Sequence, residues 1–227
     1  MISIVIPTYN EAGSIGKTLS RLWSSPGKEF IKEIIIVDGG SSDETLNIAK
    51  QHFARTIIIK KRQRATQLNA GAAAATAEIL FFLHADSEPE KDFISKITNA
   101  INNNYHCGCF RLLFDTSHWF LSANAWFTRF NINAFRFGDQ GLFVTKKVFN
   151  KSSGFNEKLV VMEDQEIIHR LKKFSKFKVI DGYVTTSARK YIKHGVYKTQ
   201  GTFFVIWLFY YLGMSQKNLV KWHRHLL

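Results

Sequence analysis

A chain of 227 residues is long enough for one large α/β domain and short for two. Its 45% hydrophobic content, with 20 phenylalanines, indicates a globular protein with a sizeable core and excludes a disordered chain. The formal net charge of +13 implies an anionic partner, and nucleic acid, anionic lipid and a phosphorylated substrate all qualify.

Two features bear on where the protein works. The chain begins directly in an apolar strand pattern, without the basic region and apolar core of a signal peptide. Its two cysteines, Cys107 and Cys109, lie two positions apart on one face of a predicted strand, which gives neither a disulfide framework nor metal-site spacing. We interpret them as buried thiols in a reducing compartment. The expected location is the cytoplasm, with peripheral attachment to the inner face of a membrane left open.

Strands and helices alternate along the first half of the chain. Apolar runs predict strands over residues 2–6, 33–38, 56–59 and 79–83. Helical patterns lie between them, over residues 15–23, 44–53 and 65–77. Pro7 is expected to stop the first strand, and Ser41 with Glu44 matches a capping box at the start of the second helix. This alternation predicts a parallel sheet with right-handed crossovers.

The chain is organised around residues 79–83, five consecutive apolar residues without polar alternation. Such a run is typical of a central strand that is buried on both faces. It delivers His84 and Asp86 to the carboxyl end of the sheet, where open α/β sheets bind ligands. A carboxylate at this corner can hold a divalent cation against a phosphorylated ligand, although a surface aspartate gives the same local pattern. Residues 87–90 are expected to open the next helix.

The second half is less regular, but no linker or composition break divides it from the first, so we expect a single domain. Strands are predicted over residues 107–114 and 141–144, and helices over 93–101, 119–135 and 163–174. The seven-residue spacing of Trp119 and Trp126 predicts that both face the core, with stacking on a sugar as the alternative. Phe174 is expected on the buried face of its helix.

Residues 201–227 combine an aromatic run with basic groups. The apolar run over residues 203–212 is well short of the ~20 residues that span a bilayer. It fits a helix that lies in a membrane interface. It equally fits a helix that packs on the core of the domain or on a second subunit.

Five motifs, in this order, resemble the family 2 inverting glycosyltransferases of the GT-A fold. They are residues 3–11 (SIVIPTYNE), 37–43 (VDGGSSD), 83–86 (LHAD), 138–144 (GDQGLFV) and 163–171 (EDQEIIHRL). The resemblance implies an α/β fold, with a Rossmann-like, mostly parallel sheet flanked by helices, in a single GT-A domain over residues 1–200. Residues 201–227 would then form a helical segment that packs on this domain or lies at a membrane surface.

The resemblance implies a nucleotide-diphosphate sugar as the donor. In that family the loop after the first strand and the acid that ends the second strand hold the nucleoside, and a carboxylate suits base edges and ribose hydroxyls. The basic cluster over residues 60–64 would approach the base or the diphosphate, with a solvated face as the alternative. The donor-binding residues expected in this way are Pro7, Thr8, Tyr9, Glu11, Asp38, Arg62, Arg64, Ala85, Asp86, Gly138, Asp139, Gln140 and Arg189.

The resemblance also implies a metal ligand and a catalytic pair. Asp86 matches the last acid of the family's metal motif, and it would hold Mg²⁺ or Mn²⁺ as a cofactor against the diphosphate. His84 stands where another acid is common, and we do not count it as a ligand. Asp164 matches the general base of the family, and Glu163 would orient it or the acceptor. The alternative for Asp164 is an acid that complements the dipole of its helix.

The sequence therefore predicts a metal-assisted, inverting, hexosyltransferase-like enzyme that transfers one sugar. Processive synthesis is disfavoured, because the chain lacks a Gln-x-x-Arg-Trp motif. A nucleotidyltransferase is one alternative, but the first loop is not the glycine-rich loop of that class. A basic nucleic-acid-binding protein is another, without a recognised motif. The expected partners are the nucleotide sugar, an unidentified acceptor and a membrane surface, with no nucleic acid.

Overall fold

Within residues 1–136 and 138–226, the part of the chain that this computed structural model describes, the chain forms eight strands and ten α-helices. The strands are β1 (Ile2–Thr8), β2 (Ile31–Asp38), β3 (Arg55–Ile58), β4 (Ile79–Phe82), β5 (Ser87–Pro89), β6 (Cys107–Phe114), β7 (Leu142–Thr145) and β8 (Phe177–Thr186). The helices are α1 (Ala12–Trp23), α2 (Thr45–Gln51), α3 (Arg64–Ala74), α4 (Phe93–Asn102), α5 (Trp119–Phe127), α6 (Lys146–Lys151), α7 (Glu163–Leu171), α8 (Arg189–His194), α9 (Val196–Tyr211) and α10 (Gln216–Leu226). None of these helices is both long and apolar enough to cross a membrane.

The strands form one sheet in the order β3-β2-β1-β4-β7-β6-β8-β5. The first four run parallel to one another, and β6 pairs parallel with β8. β7 is antiparallel to β4 and β6, and β5 is antiparallel to β8. The predicted α/β class, a single domain with a mostly parallel sheet flanked by helices, is confirmed, and β4 lies near the centre of the sheet.

β4 is buried on both faces because an apolar layer covers each side of the sheet. On one face Phe81 stacks on Phe93 of α4, with ring centroids 5.5 Å apart. On the other face Phe82 meets Phe155 edge to face at 5.1 Å. Removing such rings from water supplies much of the free energy that holds the layers together. The strand leaves the core at its carboxyl end, and residues 84–86 follow at the edge of the sheet.

β1 continues through Pro7 to Thr8, so the prediction that Pro7 stops this strand is wrong. β4 pairs with β1 only as far as Val5, whereas β2 pairs with β1 through Thr8. Pro7 lies beyond Val5, the last residue of β1 that pairs with β4. Its missing N–H therefore removes no hydrogen bond between β1 and β4. The extra length carries Thr8 to the end of β2.

Residues 87–90 do not open a helix, contrary to the prediction. Ser87–Pro89 forms the edge strand β5, and α4 begins only at Phe93. The buried hydroxyl of Ser87 donates to the hydroxyl of Thr186 in β8, with 3.1 Å between the two oxygens. A proline fits here because an edge strand leaves one side unpaired.

The predicted capping box of Ser41 and Glu44 is also wrong. The Ser41 hydroxyl donates to Asp38 instead, and α2 begins without a side-chain cap. The helix ends before Phe53, whose side chain is 89% exposed. The local pattern matched a cap, but the serine is engaged by the end of the neighbouring strand.

α5 is shorter than predicted, and the face that carries Trp119 and Trp126 is turned to solvent rather than to the core. It ends at Phe127, and it buries Leu121 and Ala125. Trp119 and Trp126 are 67% and 47% exposed, so the prediction that both face the core is wrong. A seven-residue spacing places two side chains on one face of a helix, but it does not decide which face is buried.

Two smaller predictions have opposite outcomes. Phe174 lies beyond the end of α7 at Leu171 and is 48% exposed, so its predicted burial is wrong. Cys107 and Cys109 are both buried free thiols, as predicted.

Candidate active site

The loops after β1 and β2 are held together by Asp38. Its carboxylate accepts hydrogen bonds from the Thr8 hydroxyl at 2.9 Å and from the Gly40 and Ser41 amides at 2.9 and 2.7 Å. The Ser41 hydroxyl is a further donor, at 2.5 Å. Asp38 is 0% exposed, so its oxygens are engaged by the chain itself. In this structure Asp38 therefore fixes the conformation of the predicted nucleoside-binding loops through these hydrogen bonds.

Tyr9 and Arg62 form a flat platform at the carboxyl end of β1. The Arg62 guanidinium carbon lies 3.4 Å from the centroid of the Tyr9 ring, which is a cation–π stack. Pro7 and Thr8 line the same region of the surface. A planar guanidinium and an aromatic ring offer the stacking and hydrogen-bonding surface that a nucleobase needs.

Arg189 links two of the predicted donor-site acids. Its Nη2 atom lies 2.7 Å from both carboxylate oxygens of Glu11 and 3.1 Å from Oδ2 of Asp86. Partial burial raises the pKa of Asp86, an effect that His84 opposes and the charge of Asp139 reinforces. Arg189 is therefore the nearest countercharge of Asp86.

His84 and Asp139 form a close pair beside this edge, with 2.5 Å between Nδ1 and Oδ1. Desolvation by itself would raise the pKa of Asp139, but His84 and Arg64 hold that pKa well below the usual range of an aspartate. Asp139 thus stays ionised and fixes the orientation of the imidazole. The sequence gives no signal for this pair, because its members belong to separate motifs.

The surroundings of Asp86 fit a divalent cation only together with a diphosphate. In the described parts of the chain, no three His, Cys, Asp or Glu side chains are gathered as a metal site. Magnesium is commonly held by one or two carboxylates, with substrate phosphates and water completing its shell. Asp86 fits the carboxylate part of such a site, and the diphosphate would supply the phosphate part.

α7 begins with the predicted catalytic pair, and its two acids have different partners. Glu163 is 3% exposed, and Nη1 of Arg64 lies 3.3 Å from its Oε1. Asp164 accepts a hydrogen bond from the amide of Gln165 at 2.7 Å and lines the cavity described below. Burial raises the pKa of Asp164, against the opposing charge of Arg64. A carboxylate with a raised pKa that reaches a cavity is suited to accept a proton.

Gly138 lies between His84 and Asp164. A Cβ atom at this position would be 2.8 Å from Nε2 of His84 and 3.2 Å from Oδ2 of Asp164. The first distance is shorter than a carbon tolerates, and the pair with Asp139 keeps the imidazole from moving away. Glycine is therefore the residue that lets these two groups share one space.

Two predicted donor-binding residues serve the framework instead. Gln140 is 1% exposed, and its side chain accepts from Arg136 and donates to the Phe135 carbonyl, each at 2.6 Å. Ala85 is buried, and its carbonyl accepts from the Thr18 hydroxyl at 2.8 Å. Neither residue lines the cavity.

A cavity of about 500 Å³ connects the platform with Asp164. The predicted site residues that line it are Pro7, Thr8, Tyr9, Arg62, Arg64, Gly138, Asp139, Glu163 and Asp164. The predicted residues that do not line it are Glu11, Asp38, Ala85, Asp86, Gln140 and Arg189.

The cavity extends toward β6, which lies on the other side of β4 from β1. The lining there lies outside the set of predicted donor-binding and catalytic residues, and it includes Leu112, Phe114, Lys190, Tyr191, Phe203, Ile206, Trp207 and His223. The apolar run over residues 203–212 was the available signal, and it indicated packing or a membrane rather than a cavity wall.

A cavity at the carboxyl edge of this mixed sheet, with a base-stacking platform and a buried carboxylate, is typical of a nucleotide-dependent transferase. Residues 3–157 match the sequence model of glycosyl transferase family 2. The chain belongs to this family and is a glycosyltransferase, so the resemblance is confirmed.

Curated relatives support the same class. A transferase of Methanococcus voltae, named dolichyl N-acetyl-alpha-D-glucosaminyl phosphate 3-beta-D-2,3-diacetamido-2,3-dideoxy-beta-D-glucuronosyltransferase, is 26% identical over 253 residues. That alignment covers 92% of this chain and 77% of the relative. Glycosyltransferase AglE of Haloferax volcanii is 31% identical over 107 residues, covering 44% of this chain and 35% of AglE.

Solved structures confirm the GT-A fold. TarS of S. aureus in complex with UDP-GlcNAc has a TM-score of 0.65 at 17% identity, covering 82% of this chain and 58% of that chain. The mannosyltransferase PcManGT of Pyrobaculum calidifontis, in complex with GDP-Man and Mn²⁺, has a TM-score of 0.70 at 15% identity. It covers 90% of this chain and 61% of that chain, so both solved chains are considerably longer.

Proposed function

We propose that this glycosyltransferase moves one sugar from a nucleotide-diphosphate sugar to an acceptor hydroxyl, with inversion at the anomeric carbon. The observation that carries the proposal is one cavity that contains both the Tyr9–Arg62 platform and the carboxylate of Asp164. A single bound donor can therefore reach from a stacking surface to a proton acceptor.

The donor is proposed to lie with its base on the platform and its diphosphate toward the basic side chains. Pro7 and Thr8 would contact the nucleoside, since both line this end of the cavity. Arg62 and Arg64 would face the diphosphate, where a planar guanidinium can donate two hydrogen bonds at once. Arg189 would exchange a carboxylate partner for a phosphate oxygen.

Asp164 is proposed as the general base. The acceptor oxygen attacks the anomeric carbon while the bond from that carbon to the diphosphate breaks, and the acceptor proton passes to Asp164. Glu163 is held by Arg64, with 3.3 Å between Nη1 and Oε1, whereas no basic side chain of the described residues lies within ion-pairing distance of Asp164. Direct displacement needs one such base, whereas retention needs a carboxylate nucleophile as well. Asp164 supplies that one base, and we therefore assign inversion.

A divalent cation is proposed to bind with the donor at Asp86. When bound, Mg²⁺ or Mn²⁺ would offset the charge that develops on the leaving nucleotide. The role of Asp86 is to hold one side of that ion, and the role of Arg189 is to balance the carboxylate until then, at 3.1 Å. The P. calidifontis mannosyltransferase, which was solved with GDP-Man and Mn²⁺, supports a divalent cation in this role.

The enzyme is proposed to work at the cytoplasmic surface of a membrane, through α9 and the segment over residues 201–227. The outward face of α9 is aromatic, since Phe204 and Tyr211 are 58% and 53% exposed while Thr199, Thr202 and Ile206 are buried. Exposed aromatic side chains on a basic protein suit an anionic lipid interface. The free thiols support the cytoplasmic side, and the dolichyl substrate in the name of the M. voltae relative supports a membrane.

Two experiments test these proposals. In a thermal-shift screen, one nucleoside diphosphate should raise the melting temperature in the presence of Mn²⁺, and Asp164→Asn should keep that shift while losing transfer. No shift with any nucleoside diphosphate would contradict the donor assignment. For the membrane, sedimentation with phosphatidylglycerol vesicles should weaken in the Phe204→Ser, Tyr211→Ser double variant but not in Phe53→Ser. Equal sedimentation of both variants would contradict the membrane face.

A further inference from the structure

The cavity continues past Asp164 into a part that the donor does not need. Its walls come from β6, α8, α9 and α10, and they are mainly aromatic. Phe114 packs against Tyr191 with ring centroids 5.2 Å apart, and Tyr191 meets Phe203 at 6.1 Å. Phe203 stacks in turn on His223 at 6.2 Å. Four elements thus build one continuous apolar wall beside the proposed base.

Trp207 adds an unused hydrogen-bond donor to this wall. Its side chain lines the cavity, and Nε1 is buried without an acceptor in the described part of the chain. A buried N–H without a partner is destabilising, so such a group commonly has a ligand or water as its partner. The ring is held in place by Phe204, stacked at 5.9 Å, and by Tyr211 at 5.0 Å.

The same part of the cavity carries a lysine and a histidine. Lys190 lines it, and no carboxylate of the described residues lies within ion-pairing distance of this lysine. Burial lowers the pKa of His223, and the charges of Lys190, Arg224 and Arg64 lower it further. A lysine without a carboxylate in ion-pairing distance can attract an anionic group of a ligand.

α9 separates this wall from an apolar outer surface. Phe203, Ile206 and Trp207 line the cavity, whereas Phe204 and Leu208 of the same helix are 58% and 38% exposed. A ligand with an apolar chain can therefore remain in apolar surroundings from the cavity to the outside of the helix.

We propose that this part of the cavity is the acceptor subsite, and that it takes an amphipathic acceptor whose hydroxyl-bearing head carries a phosphate next to an apolar chain. Trp207 Nε1 donates to an oxygen of the head, Lys190 faces the phosphate and the aromatic wall covers the start of the chain. The hydroxyl is then directed to Asp164. This inference rests on the proposed glycosyl transfer and names its class of acceptor.

The test uses 1-lauroyl lysophosphatidylglycerol, which combines a hydroxyl-bearing head, a phosphate and one chain. Its affinity for the full chain is measured by calorimetry below its critical micelle concentration. We expect at least tenfold tighter binding than for glycerol 3-phosphate, which lacks the chain, or dodecyl maltoside, which lacks the charge. Comparable affinity for glycerol 3-phosphate would indicate a site for free phosphate, and comparable affinity for dodecyl maltoside would indicate a site without charge preference. Either result would overturn the proposal.

Matched variants separate this subsite from the rest of the enzyme. Trp207→Phe should weaken the lysolipid about fivefold or more and Lys190→Gln should remove the preference over dodecyl maltoside, whereas the exposed Trp119→Phe should change neither. Binding of a nucleoside diphosphate is measured on the same samples and should persist in all three variants. Normal nucleotide binding with unchanged lysolipid binding in Trp207→Phe would overturn the subsite alone. If the unaltered protein bound no nucleoside diphosphate, that result would instead contradict the proposed function.

Discussion

Arg64 at the start of α3 holds Glu163 at the start of α7, with 3.3 Å between Nη1 and Oε1. The pair divides the labour between two adjacent acids. Both acids line the cavity and burial raises the pKa of each, but Glu163 has Arg64 within ion-pairing distance and Asp164 does not. Sequence neighbours of the same chemistry thus obtain different roles from one basic side chain.

The raised pKa of Asp164 predicts a pH-dependent stability change. A carboxyl whose pKa is higher in the folded state favours folding when protonated, and this contribution is lost as pH rises through the folded pKa. Asp164→Asn, which is uncharged at every pH, should therefore have a higher melting temperature than the unaltered protein at pH 7. Below about pH 4, the ordinary aspartate range, the difference should vanish. Melting curves across this range check it, and a less stable variant at pH 7 would contradict the assignment.

Gly138→Ala should damage catalysis far more than stability. The new Cβ would meet Nε2 of His84 at 2.8 Å and Oδ2 of Asp164 at 3.2 Å, and a displaced base loses about 10²-fold in rate. Gly201→Ala is the matched control, because a Cβ there meets nothing within 4 Å. Initial rates and melting temperatures of the two variants decide the matter. Similar rates for both would show that the space around Gly138 is not critical.

Metal binding should depend on the nucleotide. In the described residues no three metal-binding side chains are gathered, and Asp86 is paired with Arg189 at 3.1 Å. Mn²⁺ followed by electron paramagnetic resonance should therefore bind at least tenfold more tightly once a nucleoside diphosphate is present. Asp86→Asn should remove most of this gain, and chelation should abolish transfer. Tight Mn²⁺ binding to the protein alone would argue for a different site.

The burial of β4 at the centre of the sheet leads us to expect that a phenylalanine-to-alanine substitution there costs far more stability than the same substitution at the surface. Phe81→Ala removes a fully buried ring from β4 and should cost about 3–5 kcal/mol of unfolding free energy. Phe53→Ala removes a ring that is 89% exposed and should change it by less than about 0.5 kcal/mol. Urea unfolding of both variants gives the comparison. A cost for Phe81→Ala near that of its control would mean that β4 is not the core strand.

Local apolar runs were sufficient to predict β1, β2, β4 and β6 closely, because a strand buried between two layers must be apolar throughout. The same logic placed Asp86 at the carboxyl edge. Trp119 and Trp126 show the limit, since spacing along a helix does not reveal what covers it. Ser41 and Glu44 have the spacing of a capping box, but the Ser41 hydroxyl donates to Asp38 at the end of β2, a contact that the local pattern does not reveal.

For the candidate site too, sequence motifs identify some residues, while contacts between distant elements require the structure. Asp164 is identified through motif resemblance, and the structure adds the ion pair between Arg64 and its neighbour Glu163. The charge of Arg64 opposes the effect of burial on the pKa of Asp164. The His84–Asp139 pair and the buried N–H of Trp207 had no sequence signal, because contacts between distant elements leave no local period. Glu11, Asp86 and Arg189 were predicted separately, and their shared ion-pair cluster required the fold.

The configuration of the transferred sugar tests the central claim most directly. The anomeric proton is followed by ¹H NMR during turnover of the nucleotide sugar selected by the thermal-shift screen, with the unaltered enzyme and with Asp164→Asn. Direct displacement assisted by Asp164 predicts a first-formed product of configuration opposite to that of the donor, and no product with the variant. A product that keeps the donor's configuration, or undiminished turnover by Asp164→Asn, would contradict it.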